Sequence, residues 1–225
     1  MAPDRALLST TERRAVGPLG SAAVAIAAIF AGNIVPPLGA VIVLLWAAFT
    51  KTPARELGLA RPRSWPATIA VGTIAGVLLK LAMKAIVMPL LGAPPVNAAY
   101  HYLTGNAAAL PPILYTVIVG GGFGEEVVYR GFLFERVRVF KADSTGTRIA
   151  LLLLTSALFA AAHLAEQGVA GAEQAMATGL VFGVLYLRTR TLWMSIAAHA
   201  AFDVTAVALV YFDYENTVAR WIVRS

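Results

Sequence analysis

The chain of 225 residues contains no cysteine. That excludes disulfide bonds, thiolate nucleophiles, cysteine-ligated zinc and palmitoyl anchors. Charge is also scarce: Asp, Glu, Lys and Arg make up 13% of positions against 59% hydrophobic, and mean hydropathy is +0.73. A soluble domain carries about a quarter charged residues. Here there is too little charge to cover the apolar surface, and a soluble globular protein is excluded. Polar linkers, composition shifts, internal repeats and heptads are missing too, so residues 1–225 read as a single membrane domain. The net charge of +6 does not point to nucleic acid, because the basic residues lie in short clusters between apolar runs.

Apolar runs fall at 19–34, 36–49, 65–91, 110–123, 149–164, 175–187 and 192–210. They predict an all-α, polytopic transmembrane helical bundle with about seven crossings. Pro36 and Pro37 break any helix joining the first two runs, so this pair reads either as two crossings or as a re-entrant hairpin. Arg13 and Arg14 precede an alanine-rich run in the manner of a signal peptide, but no clear cleavage site follows. The run is expected to be the first membrane segment.

Basic residues orient the bundle. Arg5, Arg13 and Arg14 precede the first run, and Lys51, Arg55, Arg61 and Arg63 follow the second. Arg136, Arg138, Lys141 and Arg148 follow the fourth, and Arg188 and Arg190 the sixth. Residues 92–112 hold no Lys or Arg, and the connection near Glu166 and Glu173 is acidic. The alternation predicts a cytoplasmic N-terminus. Arg220 and Arg224, at the C-terminus, are the misfit. An alanine-rich, compact chain of this kind suggests a bacterial plasma membrane.

Ionisable groups inside hydrocarbon are costly unless paired or hydrated, and each is a candidate for function. After the glycines at 120, 121, 122 and 124 come Glu125 and Glu126. Glu126 and Arg130 are spaced i,i+4 and can pair on a helix, which leaves Glu125 without that partner. A desolvated carboxylate beside a second acid suits a general base. Solvated charges at a helix end are the plainer reading of this segment. The glycines suggest close approach of a substrate or a neighbouring helix.

His163 stands near the end of an apolar run, where a packing role and a chemical one are evenly matched. His199 and Asp203 share one helix face at i,i+4, a spacing suited to a metal, to an imidazole oriented by a carboxylate, or to a buried structural hydrogen bond. Lys80 and Lys84 are expected to snorkel toward headgroups, and His101 reads as interfacial. At ~1.5 Å rise per residue, Glu125 lies ~16 Å from Arg136, His163 ~22 Å from Arg148 and His199 ~14 Å from Arg190. The three sites therefore fall at similar depth, consistent with a shared cavity.

Glu-Glu-x-x-x-Arg, then Phe159-x-x-x-His163, then His199-x-x-x-Asp203, on successive membrane helices, resembles the CPBP family of CaaX prenyl proteases and bacteriocin-processing enzymes, also called the Abi family. The similarity covers about residues 120–212, taken as the catalytic motif region, and includes Arg130-Gly131-Phe132 and the 185–189 stretch. The resemblance implies an intramembrane endopeptidase acting on a membrane-associated or prenylated CaaX-type peptide. It implies Glu125 as the base that activates water, His163 helping to hold that water, and Glu126 and Arg130 supporting the site. His199 and Asp203 would stabilise the oxyanion.

Asp203 stands where many members have Asn. A carboxylate cannot donate unless protonated, so His199 is expected to donate and Asp203 to orient it. The two His and two or three carboxylates would suffice for a divalent metal such as zinc, and glutamate with histidine can also activate water unaided. Both routes stay open in the sequence. The alternative class is a non-catalytic membrane scaffold, immunity protein or proton-coupled transporter using the same Glu, His and Asp groups. Expected partners are the bilayer and a membrane-associated peptide or protein, and no nucleic acid.

Overall fold

The computed structural model describes residues 17–140 and 144–223, with side chains for all of these except 138–140. Arg5, Arg13, Arg14, Lys141 and Arg224 lie outside the described residues, as does the side chain of Arg138. Every regular element described is helical.

Helix α1 (Pro18–Ile34) and helix α2 (Leu38–Phe49) are separated by the Pro36–Pro37 break expected from sequence. At 12 residues α2 reaches ~18 Å, short of the ~30 Å hydrocarbon core. Helix α3 (Trp65–Ala82) begins where the Ser64 hydroxyl accepts from the Ala67 amide, a serine N-cap. It continues through a wide turn, and the whole apolar run is Trp65–Leu90. Helix α4 is built from Leu110–Tyr115, Thr116–Glu125, Val127–Leu133 and Phe134–Phe140. Its middle is wound with i→i+5 bonds, a form associated with functional sites.

The next helical run, Thr145–Thr189, is 45 residues long. Straight, it would reach ~68 Å, twice a bilayer. It is broken at Gly168, where φ 66 and ψ −164 lie in a region essentially open only to glycine. The two arms, α5 (145–167) and α6 (169–189), fold back on each other. Gly179 packs against Ser156 and Gly183 against Leu152, positions nearly equidistant from the break. Helix α7 (Leu192–Tyr211) starts at Thr191, whose hydroxyl accepts from the Trp193 amide, and a short α8 (Glu215–Ala219) follows. The Trp65–Leu90, Ala107–Val137, Thr145–Thr189 and Leu192–Tyr211 runs are long and apolar enough to cross a membrane.

Glycine sets how closely α3 and α7 approach. A Cβ on Gly72 would stand 2.7 Å from the Met194 carbonyl, and one on Gly76 would overlap the Ala198 carbonyl. This is a Gly-x-x-x-Gly face meeting small residues, a membrane packing device. The opposite face of α3 carries exposed Ile69, Val71, Ile74 and Leu78, as a lipid-facing stripe should.

Hydrogen bonds gather the connections into two ends. At one end the Leu192 amide donates to the Gly58 carbonyl, Trp193 Nε1 to Ala60, and the Tyr186 hydroxyl to Glu135. At the other, the Gly105 amide donates to Tyr211, the Asn97 amide to Glu215, and the Gln167 amide group to the Tyr100 hydroxyl.

Candidate active site

The sequence singled out three places, and the fold brings them to one cavity of about 520 Å³, whose walls include Glu125, His163, His199 and Asp203. The glycines before Glu125 make this possible. A Cβ at Gly122 would stand 2.8 Å from Ala200 Cβ, and one at Gly121 2.7 Å from Asp203 Oδ2. Glycine thus lets α4 lie directly on α7, and close helix approach is confirmed as its role.

Glu126 and Arg130 form the expected pair, Nη1 to Oε1 at 2.8 Å, with side chains 0% and 1% exposed. Arg130 Nη2 also donates to the Gly179 carbonyl at 3.2 Å, and the guanidinium lies 4.8 Å from the Phe159 ring centre. The charges are therefore buried inside the bundle, and the reading of a solvated helix end is overturned. The i→i+5 winding departs from the 3.6-residue turn assumed from sequence, yet the i,i+4 ion pair is kept.

His199 is the hub. Its Nδ1 lies 2.9 Å from Glu126 Oε1, while Nε2 faces Glu125 Oε2 at 3.6 Å and Asp203 Oδ2 at 3.5 Å. A carboxylate only accepts, so Nδ1 donates to Glu126. The expectation that Asp203 orients His199 is corrected here: Glu126 holds the ring, and Asp203 sits on the far nitrogen beyond hydrogen-bond length. The reason is tertiary, since Glu126 reaches across from α4 to the nitrogen pointing away from the cavity. The ring also stacks on Phe182 at 4.8 Å. His163 Nδ1 lies 2.9 Å from the Phe159 carbonyl. A carbonyl accepts, so this nitrogen carries the proton and, in the neutral ring, Nε2 holds a lone pair.

The lysines correct a second expectation. Lys80 and Lys84 do not snorkel; both are buried. Lys84 Nζ pairs with Glu215 at 2.6 Å, and Lys80 Nζ donates to Gln174 at 3.1 Å from the cavity wall. Both turn inward because Glu215, just past α7, and Gln174 of α6 supply partners. Glu215, Gln174 and Tyr100 escaped the sequence reading. The available signal was two lysines at i,i+4 deep in an apolar run. The Tyr100 hydroxyl lies 3.3 Å from Glu166 Oε1. Burial, then the Glu166 carboxylate, push its phenol above the ordinary value, so it remains a donor. His101 is exposed, as an interfacial residue should be.

Among the described residues no group of three or more His, Asp or Glu side chains is arranged to hold a metal ion. Glu126 is committed to Arg130 and His199, which removes one carboxylate from the set counted in the sequence.

Residues 107–205 match the family model described as Rce1-like, "Type II CAAX prenyl endopeptidase Rce1-like". The resemblance to the CPBP family stands. The Rce1-like segment runs from the start of α4 into α7 and contains all six residues named for the site. No curated protein and no solved structure matches the chain. The Rce1-like match supports an integral membrane protease of the CAAX endopeptidase type.

Proposed function

We propose that the protein hydrolyses a peptide bond within a membrane-associated or prenylated, CaaX-type substrate, using water activated by Glu125. The observation that carries this reading is the setting of His199. It is fixed at 2.9 Å by Glu126, and its other nitrogen faces Glu125 and Asp203 across the cavity.

Glu125 belongs to the cavity wall, is about 30% exposed, and has no ion-paired Lys or Arg among the described residues. Its carboxylate takes a proton from water as the oxygen attacks the scissile carbonyl. His163, with its Nδ1 proton given to the Phe159 carbonyl, accepts from that water at Nε2. The carbonyl oxygen gathers charge and needs a donor. His199 donates from Nε2 while Nδ1 still serves Glu126 when the ring carries both protons, and Nε2 faces Glu125 and Asp203 across the cavity. Directed donors in a low-dielectric pocket typically contribute ~3–4 kcal/mol each to the barrier. Asp203 opposes the His199 charge and shapes the pocket floor against Gly121. The proton held by Glu125 then passes to the departing amine. Glu126 and Arg130 act as positioning residues through His199.

The test is Glu125→Gln, which keeps size and hydrogen bonding but cannot take a proton. Purified and folded, it should lose ~10²–10⁴-fold in rate, the usual span of a general base, with substrate binding kept. Cleavage at near wild-type rate sinks the mechanism. Loss of an ion flux instead of cleavage would favour the transporter reading.

A further inference from the structure

The cavity opens toward one end of the bundle, and the charge of the connections says which side of the membrane that end faces. Besides the catalytic groups, the walls include Asn33 at the end of α1, Pro36 from the α1–α2 turn, Tyr102 from the α3–α4 connection, Glu166 at the end of α5 and Glu215 beyond α7. Asn33, Tyr102 and Glu166 are exposed, so they form the mouth. The deep wall is made by buried Val128, Tyr129 and Phe159. Among the described residues, none from the 50–64, 134–148 or 188–191 connections lines it.

Those three connections are the basic ones. Of the 18 Lys and Arg, thirteen lie in them or ahead of α1, with Arg5, Arg13, Arg14 and Lys141 assigned by sequence alone. Three more, Lys80, Lys84 and Arg130, are inside the bundle. Only Arg220 and, by sequence alone, Arg224 follow α7. Positive charge in short loops marks the cytoplasmic side. A thirteen-to-two division is large enough to decide the orientation despite that misfit.

We propose that the catalytic cavity opens to the non-cytoplasmic face, which selects the membrane-associated substrate of the protease reading over a prenylated one: a peptide segment presented there, exported or part of the outer segment of a membrane protein. This rests on the protease reading for what enters the cavity, but the direction of opening stands on its own. Glu166, exposed at the mouth and held by Tyr100, favours a neutral or basic peptide over an acidic one.

The absence of cysteine makes the test clean, because one introduced thiol is unique. The full chain is expressed with Ala98→Cys in the α3–α4 connection, Ala162→Cys on the cavity wall, or Ala54→Cys at the basic end. Intact cells are treated with a small membrane-impermeant methanethiosulfonate. Ala98→Cys and Ala162→Cys should be labelled from outside, and Ala54→Cys only after permeabilisation. Labelling of Ala162→Cys only after permeabilisation, or from neither side, overturns the proposal, as does labelling of Ala54→Cys in intact cells. Tyr102→Cys at the mouth repeats the measurement if Ala162→Cys does not fold. None of these outcomes depends on turnover. Absence of turnover in the cysteine-free wild type would therefore count against the protease reading and leave the orientation standing.

Discussion

Replacing Arg130 by alanine tests the buried heart of the site. The guanidinium is 1% exposed and holds Glu126 at 2.8 Å and the Gly179 carbonyl at 3.2 Å. Removing it takes the guanidinium from a carboxylate that is itself 0% exposed and leaves it only His199 Nδ1, and breaking a buried pair this way costs ~3–5 kcal/mol. At ~1.4 kcal/mol per decade, that is a two- to three-and-a-half-decade loss in the folded population. Denaturation in detergent micelles, followed by a spectroscopic probe and by monodisperse yield, should show it.

The double variant Glu126→Gln with Arg130→Met removes both charges and should recover most of that stability. It should not recover turnover, because the carboxylate that accepts from His199 Nδ1 and fixes the ring is gone. This split separates the pair's two roles. If Arg130→Ala unfolds within ~0.5 kcal/mol of the wild type, the range of ordinary surface changes, the charges are solvated and the argument fails.

Gly121→Ala would put a methyl 2.7 Å from Asp203 Oδ2; a displaced Asp203 should lower kcat while the protein still purifies folded, and unchanged kcat would remove Asp203 from the site. Gly122→Ala meets the Ala200 backbone as well as its Cβ, cannot be relieved by one side chain, and should cost folded yield outright. Lys84→Met strands the buried Glu215 and should destabilise by ~3–5 kcal/mol, with Glu215→Gln restoring the loss; equal stability of the single and double variants would show that the 2.6 Å pair contributes nothing. Treatment with a zinc chelator should leave the cleavage rate unchanged, and inactivation reversed by added zinc would refute the metal-free route.

The sequence by itself determined the membrane class, the helical runs and the chemistry-bearing residues. Hydrocarbon permits only helices or closed barrels, and a charge placed in it is conspicuous, so Glu125, Glu126, Arg130, His163, His199 and Asp203 could be picked out one by one. The Glu126–Arg130 pair was legible because both residues lie on one helix, where spacing alone fixes proximity. What lies between helices was not legible. Only packing decided that Glu126, not Asp203, holds His199, although Asp203 is the nearer in sequence. Only packing turned Lys80 and Lys84 inward, since their partners Gln174 and Glu215 are 94 and 131 residues away. The direction of the cavity needed both. Sequence places the basic clusters, but the tertiary fold alone settles which helix ends line the same opening.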